Sequence, residues 1–102
     1  MVAAAIDTRR AEIEELCKRY GVRTLYIFGS AVRDALTDES DLDFLVDFDN
    51  PVVPGYADRY FGLAEGLEDL FGRAVDLVVE RAIRNPYFRE SVEESRVLLY
   101  AA

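Results

Sequence analysis

The stretch TLYIFGSAVRDALTDESDLDFLV, residues 24–46, decides the fold. Its opening TLYIF is a β-branched and aromatic run that stops at Gly29 and Ser30, which predicts a buried strand followed by a turn. A short helix is predicted over residues 31–36. Residues 41–47, DLDFLVD, alternate along the chain as a strand with two different faces does. The stretch therefore predicts two strands joined by a turn and a short helix.

The flanking sequence predicts further helices and one more strand. Apolar spacing and glycine stops predict helices over residues 7–20 and 56–71 and a strand over residues 74–79. Residues 50–55 are predicted to form a loop, and Asn85 followed by Pro86 predicts a last helix that extends to about residue 100. The order αβαβαβα predicts one α/β (α+β) domain over residues 1–102, with a small mixed sheet of three or slightly more strands.

The composition excludes several classes of site. The 102 residues include 12 basic and 20 acidic residues, one cysteine and no histidine, for a net charge of −8. Without histidine, Ser-His-Asp and Cys-His catalysis and imidazole-bound zinc are excluded. The acidic balance argues against direct binding of nucleic acid and suits metal ions or a basic partner. We expect a cytoplasmic protein without a membrane span, in which Cys17 is a small buried apolar residue.

Three aspartates form the candidate catalytic group. Asp41 and Asp43 point to the same face of their strand, with Cβ atoms roughly 6–7 Å apart. Asp76 is the only polar residue in its own strand, so a charge buried there needs a partner or a metal. If the two strands are neighbours, the three carboxylates converge. Such a group suits two Mg²⁺ or Mn²⁺ ions that promote phosphoryl displacement.

A second group of residues favours an anion. Gly29 and Ser30 lie where a strand turns into a helix, which is a common place for a phosphate, and Arg33 follows one turn later. Each motif also has an ordinary interpretation. Gly29 and Ser30 could form a common turn at a strand end, and the aspartates could be solvated turn residues. Arg33 could form a surface ion pair with Asp34 or Asp38. The joint occurrence of these motifs in this order favours a functional site.

Residues 29–46 carry a family resemblance. GSAVRDALTDESDLDFLV resembles the Gly-Ser, ten residues, Asp-x-Asp signature of the DNA polymerase beta-like nucleotidyltransferase superfamily, and Asp76 lies where that superfamily has its third carboxylate. The length and the closing NPYFRESVEESRVLLYAA are similar to its small prokaryotic branch, the minimal nucleotidyltransferases. Ala31 and Asp34 stand where that branch often has a basic residue and a glycine.

The resemblance implies an activity and a partner. Many members of this branch are antitoxins of the MntA type, in type VII toxin–antitoxin pairs, and transfer AMP from ATP to a tyrosine of a HEPN-domain ribonuclease toxin encoded nearby. It also implies two sets of site residues: nucleotide-binding Gly29, Ser30 and Arg33, and catalytic, metal-binding Asp41, Asp43 and Asp76. The implied cofactor is a pair of Mg²⁺ ions, with Mn²⁺ as a substitute.

Two other functions stay open at this point. A small antitoxin could neutralise its toxin by binding alone, and a small-molecule nucleotidyltransferase would need a further domain, or a second copy of the chain, to hold its acceptor. A homodimer and a hetero-oligomer with the toxin are both compatible with the sequence. A membrane and nucleic acid are not expected partners.

Overall fold

The computed structural model describes residues 6–29, 32, 41–50 and 54–102. Its helices are α1 (Arg10–Arg19), α2 (Tyr56–Phe71) and α3 (Pro86–Ser95), and its strands are β1 (Val22–Phe28), β2 (Leu42–Phe48), β3 (Val75–Val79) and β4 (Val97–Ala101). A short 3-10 helix, Glu80–Ala82, follows β3. The sheet has the order β3-β2-β1-β4; β1 is antiparallel to β2 and β4, and β2 is parallel to β3. The predicted mixed sheet of an α/β protein is confirmed.

The two faces of the sheet pack against different helices. Leu42, Phe44, Val46 and Phe48 alternate along β2 and enter the main core with residues of α1 and α2. On the opposite face, Leu45 packs with Phe28 and with Val92 of α3 in a smaller cluster. Asp43 has the same strand parity as Leu45, so its side chain lies on the α3 face.

Most predicted elements agree with the structure. The helix over residues 56–71 has its predicted bounds and ends at Gly72, whose φ of 66° needs the conformational freedom of glycine. Cys17 is fully buried, and burial raises the pKa of its thiol to about 12, so it is an inert core residue as predicted. The predicted helix over residues 31–36 lies, apart from Val32, outside the described residues. No described helix is long and apolar enough to cross a membrane.

The last predicted helix is wrong in its second half. It begins as predicted, because the Asn85 side chain accepts hydrogen bonds from the backbone N–H groups of Tyr87 and Phe88. It ends at Ser95, and Val97–Ala101 form a strand that pairs with β1. Pairing satisfies backbone groups along β1 that a helix would have left open, and the apolar run VLLY is compatible with a strand.

Arg59 of α2 connects two turns at one end of the sheet. Its guanidinium donates to the backbone oxygens of Tyr20 and Gly21 at 2.9 and 2.8 Å, and to that of Asp49 at 2.6 Å. It also lies 5.2 Å from the centre of the Phe48 ring. One side chain therefore attaches α2 to the turn before β1 and to the end of β2.

We expect Arg59→Met to lower the free energy of unfolding by about 2–4 kcal/mol, because it leaves several carbonyl acceptors without their charged donor. Methionine keeps most of the side-chain volume, so lost packing contributes little. Urea denaturation followed by circular dichroism measures the change. Arg19→Met, at an exposed position of α1, is the matched control and should change stability by less than about 0.5 kcal/mol. Equal stabilities of the two variants would contradict the role assigned to Arg59.

Candidate active site

Two carboxylates occupy paired positions on adjacent parallel strands. Asp43 of β2 is in register with Asp76 of β3. Paired residues of neighbouring strands lie on the same face of a sheet, and the strands are about 4.8 Å apart. The structure thus brings Asp43 and Asp76 side by side on the face that α3 partly covers.

The electrostatics of Asp43 reflect this arrangement. Its pKa is raised above the ordinary value, first by partial burial and then by the negative charges of Asp76 and Asp41. The fold therefore holds Asp43 close to two like charges in a site with limited access to water. A bound cation would relieve this repulsion.

The outer two aspartates face solvent. Asp41 lies immediately before β2 and Asp76 lies on the edge strand β3, and both are exposed. The prediction that a charge at Asp76 would be buried and need a partner is wrong, because an edge strand leaves this position open to water. Exposure makes the Asp76 carboxylate accessible to a substrate.

The donor chemistry of the three aspartates fits a divalent metal. Carboxylate oxygens are the hard ligands that Mg²⁺ and Mn²⁺ prefer. The pKa of Asp43 is raised first by burial and then by the charges of Asp76 and Asp41, so further negative groups lie near this carboxylate. Within the ranges that the structure describes, no three acidic or thiol groups are gathered closely enough to enclose an ion. The predicted convergence of all three carboxylates is therefore not what the structure shows: Asp43 and Asp76 form an adjacent pair, and Asp41 lies close enough to act on the charge of Asp43.

Gly29 lies on the β1 side of Asp43. It follows β1 directly after Phe28, which pairs with Asp43, and its φ is +78°. A Cβ atom at this position would lie 2.6 Å from Oδ2 of Asp43, so a side chain at position 29 would collide with the carboxylate. The glycine therefore allows the turn to pass close to Asp43.

The amide of Gly29 is already hydrogen-bonded. It donates to Oγ of Ser95 at 3.1 Å, and the Ser95 hydroxyl donates in turn to the carbonyl of Ser91 at 3.3 Å. The last turn of α3 is thereby attached to the turn that follows β1. Gly29 therefore lets the backbone lie against the Asp43 carboxylate, and its N–H is used in a hydrogen bond that holds α3 in place.

Two site residues from the sequence, Ser30 and Arg33, lie outside the described residues. Two others emerge only from the structure. Ser95 lies 66 positions from Gly29, so no local pattern could predict their hydrogen bond. Tyr60 of α2 donates its hydroxyl to the carbonyl of Leu77 at 2.6 Å, next to Asp76. Burial and then the Asp76 charge raise the pKa of Tyr60.

Comparison with known sequences identifies the family. The nucleotidyltransferase domain model matches residues 10–99. A candidate protein adenylyltransferase of Methanocaldococcus jannaschii is 41% identical over 91 residues, which cover 89% of this chain and 90% of that protein. The protein adenylyltransferase MntA of Thermococcus cleftensis is 40% identical over 75 residues, which cover 74% and 73% of the two chains.

Comparison with solved structures identifies the same family. A candidate minimal nucleotidyltransferase matches with a TM-score of 0.73 and 34% identity, over 89% of each chain. One chain of the complex of a tri-AMPylated Shewanella oneidensis HEPN toxin with its MNT antitoxin shares the fold, with a TM-score of 0.64 and 19% identity, over 95% of this chain and 73% of that one. The family model, the relatives and the first of these structures together show that the chain is a nucleotidyltransferase and belongs to the minimal branch of that domain family.

Proposed function

We propose that this nucleotidyltransferase transfers AMP from ATP to a tyrosine of a partner HEPN-type toxin, and thereby acts as the antitoxin of the pair. The observation that carries the proposal is the pairing of Asp43 with the exposed Asp76 beside Gly29. The relatives named as protein adenylyltransferases support a protein acceptor. The shared fold of an antitoxin in complex with an AMPylated HEPN toxin supports the class of partner.

In this proposal the nucleotide and the metal ions occupy neighbouring parts of the site. The triphosphate lies beside Gly29, and Ser30 and Arg33 complete its binding site. Asp41, Asp43 and Asp76 are the residues that would hold two Mg²⁺ ions, for which Mn²⁺ could substitute. When bound, these ions neutralise the negative charge that develops on the phosphate oxygens.

The proposed reaction is a displacement at the α-phosphorus of ATP. The tyrosine oxygen forms a bond to this phosphorus, and the bond between the phosphorus and the oxygen that bridges to the β-phosphate breaks. Pyrophosphate leaves with the electron pair of that bond. The phenolic proton passes to the Asp76 carboxylate, whose exposure on the edge strand lets an acceptor reach it. The cytoplasm, where ATP is abundant, is the compartment that this reaction requires.

The first prediction concerns transfer itself. The purified protein, incubated with ATP, Mg²⁺ and the HEPN-type protein encoded beside it, should add one or more AMP groups to a tyrosine, as read by mass spectrometry. Asp76→Asn should slow transfer by about 10²-fold or more, because the proton acceptor is lost. Asp69→Asn, at an exposed position of α2, is the matched control and should leave the rate unchanged.

Two outcomes would contradict the proposed transfer. Neutralisation of the toxin without any added AMP would support an antitoxin that acts by binding alone. Modification of a small hydroxyl compound but not of the protein would indicate a small-molecule nucleotidyltransferase.

The second prediction concerns stability and pH. Because the pKa of Asp43 is raised, the folded state binds this proton more tightly than the unfolded state does. Stability therefore falls as the pH rises above the ordinary value of 3.8, and the loss persists at neutral pH. In chelator, Asp43→Asn should be at least as stable as the wild type at pH 7, and its advantage should shrink towards pH 4.

Urea denaturation at several pH values measures this difference. Mn²⁺ with ATP should raise the melting temperature of the wild type and have a much smaller effect on Asp43→Asn, because the ligands bind only the assembled site. An Asn variant that is less stable than the wild type at pH 7, and equally responsive to Mn²⁺ with ATP, would contradict the metal-binding role of Asp43.

A further inference from the structure

An open apolar hollow lies beside β3 on the α3 face. Its volume is about 480 Å³, and its walls include Val78, Ala82, Ile83 and Phe88. The Phe88 ring packs edge-on against Phe28 at 6.1 Å between centres, and Phe88 is nevertheless 40% exposed. We call these four residues, together with Arg84 on the rim, the acceptor hollow. It is an apolar surface that water reaches.

The acceptor hollow begins two residues along β3 from the carboxylate pair. Val78 lies two residues after Asp76 and therefore on the same face of β3, about 6–7 Å further along the strand. Its neighbour on β2 is Leu45, just as Asp43 is the neighbour of Asp76. A polypeptide segment bound in the hollow would therefore place an adjacent residue at Asp76.

Sheet order places the hollow on the side from which an acceptor must arrive. Gly29 follows β1, on one side of Asp43, whereas the hollow borders β3 on the other side. Attacking and leaving groups lie on opposite sides of the phosphorus in an in-line displacement. With the phosphates beside Gly29, the attacking hydroxyl therefore comes from the β3 side.

The charged residues around the acceptor hollow indicate which kind of ligand it would bind. Arg81 is paired with Asp47 at 2.8 Å, and Arg89 donates to the carbonyls of Glu80 and Ile83. Arg84 is exposed on the rim, and among the described residues no carboxylate or carbonyl pairs with it. A cation beside an apolar wall, with no partner in the described ranges, suits a carboxylate that neighbours an apolar side chain.

We propose that the acceptor hollow docks the segment of the partner protein that carries the modified tyrosine, and that this segment has an apolar side chain next to an acidic one. The inference rests on the proposed function for the identity of the partner. It adds the location of the partner's acceptor segment and the residue types that select it.

The test uses two synthetic peptides with the full-length protein. One has the sequence Glu-Leu-Tyr-Leu-Glu, and its partner has lysine in place of both glutamates. In a millimolar titration followed by amide NMR, the acidic peptide should shift signals of residues 78–88 and bind more tightly than the basic one. This preference is opposite to that expected from the net charge of −8, which favours the basic peptide through long-range attraction.

Three variants separate docking from general effects. Arg84→Glu should weaken binding of the acidic peptide by about 2- to 5-fold, the usual range for an exposed ion pair, and should invert the preference between the peptides. Ala82→Glu places a charge in the apolar wall at an exposed position and should remove binding of both peptides at the hollow. Ala11→Glu, exposed on α1, adds the same charge on the opposite face and should have no effect.

Several results of these titrations would overturn docking of the partner segment in the hollow. Signals that shift elsewhere, no shift at all, or an unchanged preference in Arg84→Glu would overturn the proposal. Shifts of the same signals by ATP alone would assign the hollow to the nucleobase and also overturn it. Binding is measured without transfer, so docking of the acidic peptide supports the docking site even where the partner protein receives no AMP, a result that would contradict the proposed function alone.

Discussion

The repulsion between Asp43 and Asp76, held at paired positions of two parallel strands, is the constraint on which the site depends. The strands cannot slide to separate the charges, because the other face of β2 carries fully buried Phe44 and Val46. A shift of one residue would exchange the two faces of the strand and bring Asp43 into the apolar core. Core packing thus keeps the like charges together.

The two faces of the sheet have different roles: one packs the main core, and the other carries the candidate site. On one face, α1 and α2 cover the main core, and Arg59 fastens α2 to the turns beside it. On the other face, α3 covers only part of the sheet and leaves Asp41 and Asp76 exposed. The hydrogen bond from Gly29 to Ser95 links the end of α3 to the site. Substitutions on the first face should therefore affect stability, and substitutions on the second should affect binding.

Local sequence patterns predicted those features that local chemistry determines. The alternation in β2 and the glycine at the end of α2 specify their elements directly, so both were predictable. The exposure of Asp76 was not predictable from local sequence. It depends on β3 lying at the edge of the sheet, which is a property of strand order. The strand Val97–Ala101 was missed for a similar reason: its apolar residues fit helical spacing until the free side of β1 is available for pairing.

The edge position of β3 leaves one side of the proposed acceptor site open. An edge strand exposes backbone groups and one open flank, which most proteins protect. Here Tyr60 donates its hydroxyl to the carbonyl of Leu77, which satisfies one such group, and the α3 face of the same strand carries Asp76 followed by Val78. The strand is thus anchored through its backbone from the α2 side, while its side chains on the other face stay open to a ligand. A carboxylate and an apolar hollow on one anchored strand would hold an incoming hydroxyl and its neighbouring side chain in a fixed relation.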